Sequence, residues 1–153
     1  MPPPDLTAGD PAAATLLRRG GARLRARALE SAMALDPTFA DRHDDLARQG
    51  LRADLEAFLD RLIIAIASND PHSMATFADL VVVRYRKRGI SMDDLVTLCE
   101  GLRRAAAAVV DPGSLPALDA AIDQAIAVFM WHRRLAGDAR RKNPLLSFIY
   151  KGA

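Results

Sequence analysis

The chain has 153 residues and a net charge of only +2, and half of its residues are hydrophobic but only 5% are aromatic. This length suits one domain with a single core, which must be built from Leu, Ile, Val, Ala and Met, and such a composition favours packed helices over a sheet. We therefore expect an all-α, single-domain protein. The single cysteine, Cys99, excludes an internal disulfide and agrees with a reducing compartment.

The N-terminal segment is rich in proline and small residues, which predicts disorder over 1–10. It has no basic region followed by an apolar core, the pattern of a secretory signal, so a cytoplasmic location is expected. The apolar stretches at 62–68 and 120–131 are too short or too interrupted by polar residues to cross a bilayer. No transmembrane segment is therefore predicted.

Four Asp-Pro pairs divide the chain. An aspartate accepts hydrogen bonds from the free amides of a first helical turn, and a proline in the next position lacks only an N–H that would go unused. The pairs at 10–11, 36–37 and 70–71 therefore predict helix starts, whereas the pair at 111–112 predicts a helix end before a new start at Ser114. The predicted helices span about 11–35, 37–49, 51–68, 71–88, 91–110 and 115–136.

Apolar residues recur at spacings of three and four in the four later helices, which is the period of a buried helix face. We expect two stripes to form the centre of the core and two more to close over them. The predicted core residues are Leu55, Phe58, Leu59, Leu62, Ile63, Ile66, Met74, Phe77, Val81, Tyr85, Met92, Leu95, Val96, Cys99, Leu102, Ala106, Val109, Leu118, Ile122, Ala125, Ile126 and Phe129.

The first predicted helix differs from the others, because two glycines interrupt it at 20–21 and five arginines crowd 18–27. A narrow apolar line remains, which predicts packing either against the body of the domain or against a second copy of the chain. This line consists of Leu17, Leu24, Ala28 and Leu35.

The stretch 84–104 holds a helix end, a tight corner and a new helix. Gly89 can adopt a left-handed conformation after the last turn, and Ser91 with Asp94 three residues later predicts a capping box. This Arg-x-x-x-Arg-Gly-Ile-Ser corner leads into an acidic first turn and then into Leu-Arg-Arg. Over about 54–110 the sequence resembles the helical N-terminal sensor domains of RsbR-type stressosome regulators.

The resemblance implies a globin-like or helical-bundle fold, usually without haem, that dimerises and passes a signal to an output domain. In that family the output domain often follows in the same chain, whereas this sequence ends at Ala153. Two alternatives stay open: the chain is a piece of a longer protein, or the protein acts by docking on a separate partner.

No residue set for catalysis or for a cofactor is recognised. A globin-type haem would need a histidine in the helix before the corner, where the sequence has Val83, Arg84 and Tyr85, so a haem-binding sensor is only a lesser alternative. His43 lies among carboxylates in the run DRHDD, which predicts an exposed and charged side chain. The chain has no Glu-x-x-His pair, zinc motif or phosphate loop, so neither a metal nor enzymatic activity is expected.

Arginine clusters make a basic nucleic-acid-binding module the alternative function, because a basic face can hold phosphates without reading bases. The run 89–105 also has the general pattern of a helix-turn-helix with Gly101 as the turn. However, the apolar period continues through Gly101 without a break, which favours one continuous helix, and 105–110 offer no polar group to a base edge. The 19 acidic residues dispersed among 21 basic ones weaken this alternative further.

The C-terminal segment 138–153 combines positive charge with apolar bulk. Gly137 and Asp138 are expected to end the last helix, so that the helical domain spans 11–137. The apolar side chains are too numerous for a solvated tail, so they either fold back on their own domain or dock on a partner; a membrane-surface anchor is a minor variant. The predicted partner-binding residues are Arg140, Arg141, Lys142, Leu145, Leu146, Phe148, Ile149 and Tyr150.

These patterns favour a multi-helix bundle of about five to six helices without cofactors, and the family resemblance implies that the bundle is globin-like and dimeric. We expect a non-enzymatic regulatory or accessory protein that acts through contacts with another protein or with a second copy of itself.

Overall fold

The computed structural model describes the backbone of residues 8–142 and the side chains of residues 8–136. Over this range the chain is helical and contains no strand, which confirms the predicted all-α class and the multi-helix bundle. A short 3₁₀ turn at Pro112–Ser114 precedes the last helix. The helices are α1 (Pro11–Leu35), α2 (Phe39–Arg42), α3 (Asp45–Ala67), α4 (His72–Lys87), α5 (Met92–Ala107) and α6 (Leu115–Lys142).

The helices enclose one core. α5 packs against both α1 and α6, α3 packs mainly against α1, and α4 packs mainly against α6, while further contacts of α3 with α4 and α6 close the bundle. The predicted stripes of α3 to α6 face this core, which confirms the helix phase deduced from their spacing. Val109 is an exception and is partly exposed, because α5 ends at Ala107 and Val109 lies in the turn that follows.

α1 bends at Gly21, whose backbone angles of φ 45° and ψ −128° are rarely adopted by a residue with a side chain. The apolar line of α1 is buried against the body of the domain at Leu17, Leu24 and Ala28. This is the first of the two packing arrangements that the sequence left open. Leu35, at the C-terminal end of α1, is partly exposed.

α1 and α5 approach each other closely at Gly101, in the middle of α5. A Cβ atom at this position would lie 2.3 Å from the carbonyl oxygen of Ala28 and 2.9 Å from the backbone nitrogen of Ala32. Gly101 therefore allows the two helices to pack backbone against backbone, and α5 is one continuous helix rather than a helix-turn-helix.

The predicted helix over 37–49 is wrong. Residues 39–42 form a single turn, and His43 is extended at φ −131° and ψ 111°. Asp44 then begins α3 by accepting a hydrogen bond from the N–H of Ala47 at 2.8 Å, and α3 continues through Gly50. Asp36 ends α1 instead of starting a helix, because its carboxylate accepts a hydrogen bond from the N–H of Thr38 at 3.1 Å.

Asp10 begins α1 as predicted and also joins distant parts of the chain. Its carboxylate accepts hydrogen bonds from the hydroxyl of Ser114 at 2.5 Å and from the N–H of Ala13 at 3.0 Å, and both lower the pKa of Asp10. The N–H of Asp10 donates to the carbonyl oxygen of Ile66 at 3.0 Å. The last residue of the segment predicted to be disordered is thus a helix cap, and residues 1–7 of that segment lie outside the described residues.

Candidate interaction surface

The predicted partner-binding segment lies mostly outside the described residues. This applies to Leu145, Leu146, Phe148, Ile149 and Tyr150, which follow the last described residue of the backbone. Arg140, Arg141 and Lys142 form the C-terminal end of α6, where the structure describes the backbone only. Docking by this segment therefore stays a prediction.

The prediction that Gly137 and Asp138 end the last helix is wrong, because α6 runs through both residues to Lys142. A single glycine inside a helix costs only about 1 kcal/mol relative to alanine. The residues after Asp138 are Ala, Arg, Arg and Lys, which all have high helix propensity and carry the helix onward.

A group of apolar side chains lies in solvent on α4 and α6, and we call it the α4–α6 face. Leu80 is 73% exposed and Trp131 is 50% exposed, whereas the opposite sides of the same helices are buried in the core. Single exposed apolar residues are common on protein surfaces, but a contiguous group marks an interaction surface. The face consists of the exposed residues Leu80, Val83, Trp131 and Leu135, together with Val128, which is half-buried and packs partly against the core.

A shared groove and a polar contact lie between α4 and α6 beside this face. Leu80 and Val128 line the same groove between α4 and α6, which has a volume of about 320 Å³. The Trp131 ring packs edge-on against His132 with 5.0 Å between ring centroids, and Nε2 of His132 lies 2.8 Å from a carboxylate oxygen of Asp79. Val83 follows Asp79 by one turn and Leu135 follows Trp131 by one turn, so each lies beside the same seam.

The charged residues beside the face differ in their pairing. Arg133 pairs with Asp93 of α5 at 2.9 Å, and this ion pair holds α6 to α5. Arg84, Lys87 and Arg134 are exposed and make no ion pair with any residue in the described range. The edge of the face therefore carries uncompensated positive charge.

A second polar cluster, which we call the Asp94 clasp, corrects the prediction for His43. His43 is buried, not exposed, with only 6% of its surface accessible, and its ring packs on Phe39 with 4.6 Å between centroids. Its Nε2 atom lies 2.7 Å from Oδ2 of Asp94. Because an ionised carboxylate only accepts hydrogen bonds, Nε2 of His43 is the donor.

Asp94 also binds Arg42 through both carboxylate oxygens. Nη2 of Arg42 donates to Oδ1 at 2.7 Å and Nε donates to Oδ2 at 3.3 Å, and hydrogen bonds to Asp94 and Asp36 raise the pKa of Arg42. The clasp thus fixes the corner between α1 and α3 to the first turn of α5. Among the described side chains, Asp94 is the hydrogen-bond partner of the His43 ring.

The other candidate groups for chemistry occupy separate places. Burial raises the pKa of the Cys99 thiol to about 12, which agrees with the predicted role of a small core residue. His72 is exposed in the first turn of α4. Tyr85 lies in the region where a globin-type haem ligand would be expected, and its ring packs near Phe58 in the core. Nowhere between residues 8 and 136 do three His, Cys, Asp or Glu side chains gather in a way that could hold a metal ion.

The arginines that the sequence presents as basic clusters are partly neutralised by carboxylates. Arg103 binds Glu100, Asp119 and Asp123 at distances of 2.5 to 3.0 Å, and Arg88 binds Asp54 at 2.6 Å. These ion pairs join α5 to α6 and the end of α4 to α3. None of the six described helices combines the length and the apolar composition that a bilayer-spanning segment needs.

The corner before α5 has the predicted geometry. Gly89 is left-handed at φ 73°, and the hydroxyl of Ser91 accepts a hydrogen bond from the N–H of Asp94 at 3.1 Å. The predicted capping box is only half formed, because the carboxylate of Asp94 turns to Arg42 and His43 instead.

Comparison of the chain with protein-family models, with curated proteins and with solved structures finds no match. The resemblance to RsbR-type sensor domains therefore stays a prediction.

Proposed function

We propose that the chain is a non-enzymatic regulatory or accessory protein that acts through protein–protein interaction, and that the α4–α6 face is its contact surface. The single observation that carries this proposal is the group of apolar side chains that lies in solvent across two adjacent helices. Burying a side chain such as Leu80 on a partner contributes about 1.5 to 3 kcal/mol. Several such side chains in one patch are sufficient for a specific contact.

The edge of the face indicates the chemistry of the partner. Arg84, Lys87 and Arg134 are exposed and have no carboxylate partner among the described residues. Positive charge at the rim of an interface selects partners with carboxylates at the matching positions and accelerates association. We therefore expect the partner to offer an apolar surface bordered by acidic residues, and a signal-sensing role, as the family resemblance implies, would use this contact as its output.

The experiment compares three forms of the full chain as bait in a lysate of the source organism. The first is the unchanged protein, the second carries Leu80→Ser and Trp131→Ser, and the third carries Leu46→Ser. Leu46 is 77% exposed on α3 and lies outside the face, so the third form is a control for loss of exposed apolar surface. A partner should be retained by the first and third forms and depleted by at least about tenfold in the second. Equal retention by all three forms would contradict the proposal.

Deletion of 145–153 separates two roles of the C-terminal segment. If Leu146, Phe148, Ile149 and Tyr150 dock on a partner, deletion abolishes the complex and leaves the melting temperature nearly unchanged. If they pack on their own domain, deletion lowers the melting temperature and the complex forms as before. Sedimentation of the same proteins at several concentrations tests whether the partner is a second copy of the chain.

The alternative function, nucleic-acid binding, predicts a different experimental result. A protein held by phosphate contacts loses affinity for random duplex DNA steeply as the salt concentration rises, because binding releases counterions. The proposed interaction protein should show no binding to such DNA at physiological salt. Salt-dependent binding that survives Leu80→Ser and Trp131→Ser would instead support the basic module.

A further inference from the structure

A small hollow lies between α1 and α5, beside the kink at Gly21. It has a volume of about 140 Å³ and is open to solvent on one side. Gly20 is one of its lining residues, and a Cβ there would lie 2.9 Å from Cδ1 of Leu24. The lining residues are Gly20, Arg23, Leu24, Arg27, Ala105 and Val109.

The hollow combines an apolar floor with uncompensated positive charge. Leu24, Ala105 and Val109 are its apolar lining residues. Leu24 and Ala105 are buried, whereas Val109 is 37% exposed and offers the largest apolar surface of the three. Arg23 and Arg27 stand one helical turn apart in the regular part of α1 and both border the hollow. Neither arginine makes an ion pair with a residue of the described range, and no carboxylate is among the lining residues.

We propose that this hollow binds a small organic carboxylate. Arg23 and Arg27 hold the carboxylate, because a guanidinium matches its two oxygens with paired N–H donors and remains charged at any physiological pH. The apolar part of the ligand enters the hollow against Leu24, Ala105 and Val109. The volume of 140 Å³ is close to the roughly 150 Å³ of an engineered apolar cavity that holds benzene, so a single ring or a chain of a few carbons fits.

This site is independent of the α4–α6 face. It lies on α1 and α5, and neither helix contributes a residue to the face. A bound carboxylate would bridge the kinked first helix and the central helix of the bundle. Carboxylate binding at this site can therefore be tested separately from partner binding at the α4–α6 face.

The test is isothermal titration of the full chain with benzoate at low ionic strength. Acetate offers the charge without the ring, and benzyl alcohol offers the ring without the charge. Benzoate should bind with a Kd of about 1 mM or below, and each of the other two compounds at least about tenfold more weakly. If acetate or inorganic phosphate bound as tightly as benzoate, the site would be a patch of positive charge without a pocket, and the proposal would be overturned.

Two matched variants locate the site. Arg23→Gln with Arg27→Gln should weaken benzoate binding by at least about tenfold, whereas Arg18→Gln with Arg19→Gln removes the same charge from the same helix outside the hollow and should change it by less than about twofold. All four side chains are exposed or unpaired, so the fold survives both changes, which circular dichroism checks. Equal losses in the two variants would show only a general effect of charge and would refute the site.

Discussion

Replacing Gly101 by alanine should destabilise the protein, although alanine is the better helix former. In an exposed helix the change stabilises by about 1 kcal/mol. In α5 the added Cβ would lie 2.3 Å from the carbonyl oxygen of Ala28, about 1 Å inside a normal contact. The neighbour is backbone and cannot rotate away, so α1 or α5 must move. Overpacking of this kind typically costs 1 to 3 kcal/mol, and we expect about 3 here, which leaves a net loss of about 2 kcal/mol.

Gly50→Ala provides a matched control in α3. A Cβ at Gly50 would meet only Nη2 of Arg88 at 3.4 Å, which is an ordinary contact with the end of a flexible side chain. The same substitution should therefore stabilise the protein there by up to about 1 kcal/mol. The two alanine variants should differ by about 3 kcal/mol in the free energy of unfolding.

Urea denaturation followed by circular dichroism measures both free energies. The midpoint should move to lower urea for Gly101→Ala and to slightly higher urea for Gly50→Ala, with similar slopes. If Gly101→Ala is as stable as the unchanged protein while Gly50→Ala gains stability, α1 does not pack against α5 at this position.

Three further predictions concern polar and titratable groups. Asp94→Ala leaves His43 and Arg42 without their shared carboxylate, and we expect a loss of about 2 to 3 kcal/mol in thermal or urea unfolding; an unchanged stability would show that the clasp is not formed. The pKa of Cys99 is raised from 9.0 to about 12, so at mildly alkaline pH the thiolate is roughly a thousandfold rarer than in the unfolded chain. Iodoacetamide should label Cys99 only under unfolding conditions, and rapid labelling of the native protein would contradict its burial. The lowered pKa of Asp10 contributes stability above its ordinary value of 3.8 that is lost as the pH falls through the folded value. Melting curves of Asp10→Asn and of the unchanged protein should therefore differ at neutral pH and converge in acid, and a constant difference would exclude the titration of Asp10 as the cause.

Periodicity was sufficient to predict the core of the four later helices. Leu59, Leu62, Leu95, Leu102 and Phe129 are all buried in one cluster, because side chains at spacings of three and four on a helix share one face whatever the neighbouring helices are. The helix caps at Asp10 and Ser91 were predictable for the same reason, since capping depends on residues within one turn.

Contacts across long stretches of sequence were not predictable from local patterns. His43 was interpreted as an exposed member of a charged run, but its partner Asp94 lies 51 positions away in the chain. Gly101 was recognised only as a helix position without a turn, although its main role is the close approach to Ala28. The helix end predicted at Gly137 and Asp138 depended on these two residues, and the helix propensity of the following residues outweighed them.

The pairing of the first helix with the fifth also determines the order in which the chain can fold during synthesis. Ala107, the last residue of α5, lies 72 positions after Leu35, the last residue of α1. At a synthesis rate of 5 to 20 residues per second, α1 waits roughly 4 to 14 s before its main partner exists. During this interval α3 is the main packing partner of α1 that has already been synthesised. A nascent chain that stops before α5 should therefore bind chaperones through α1, and the full chain should not.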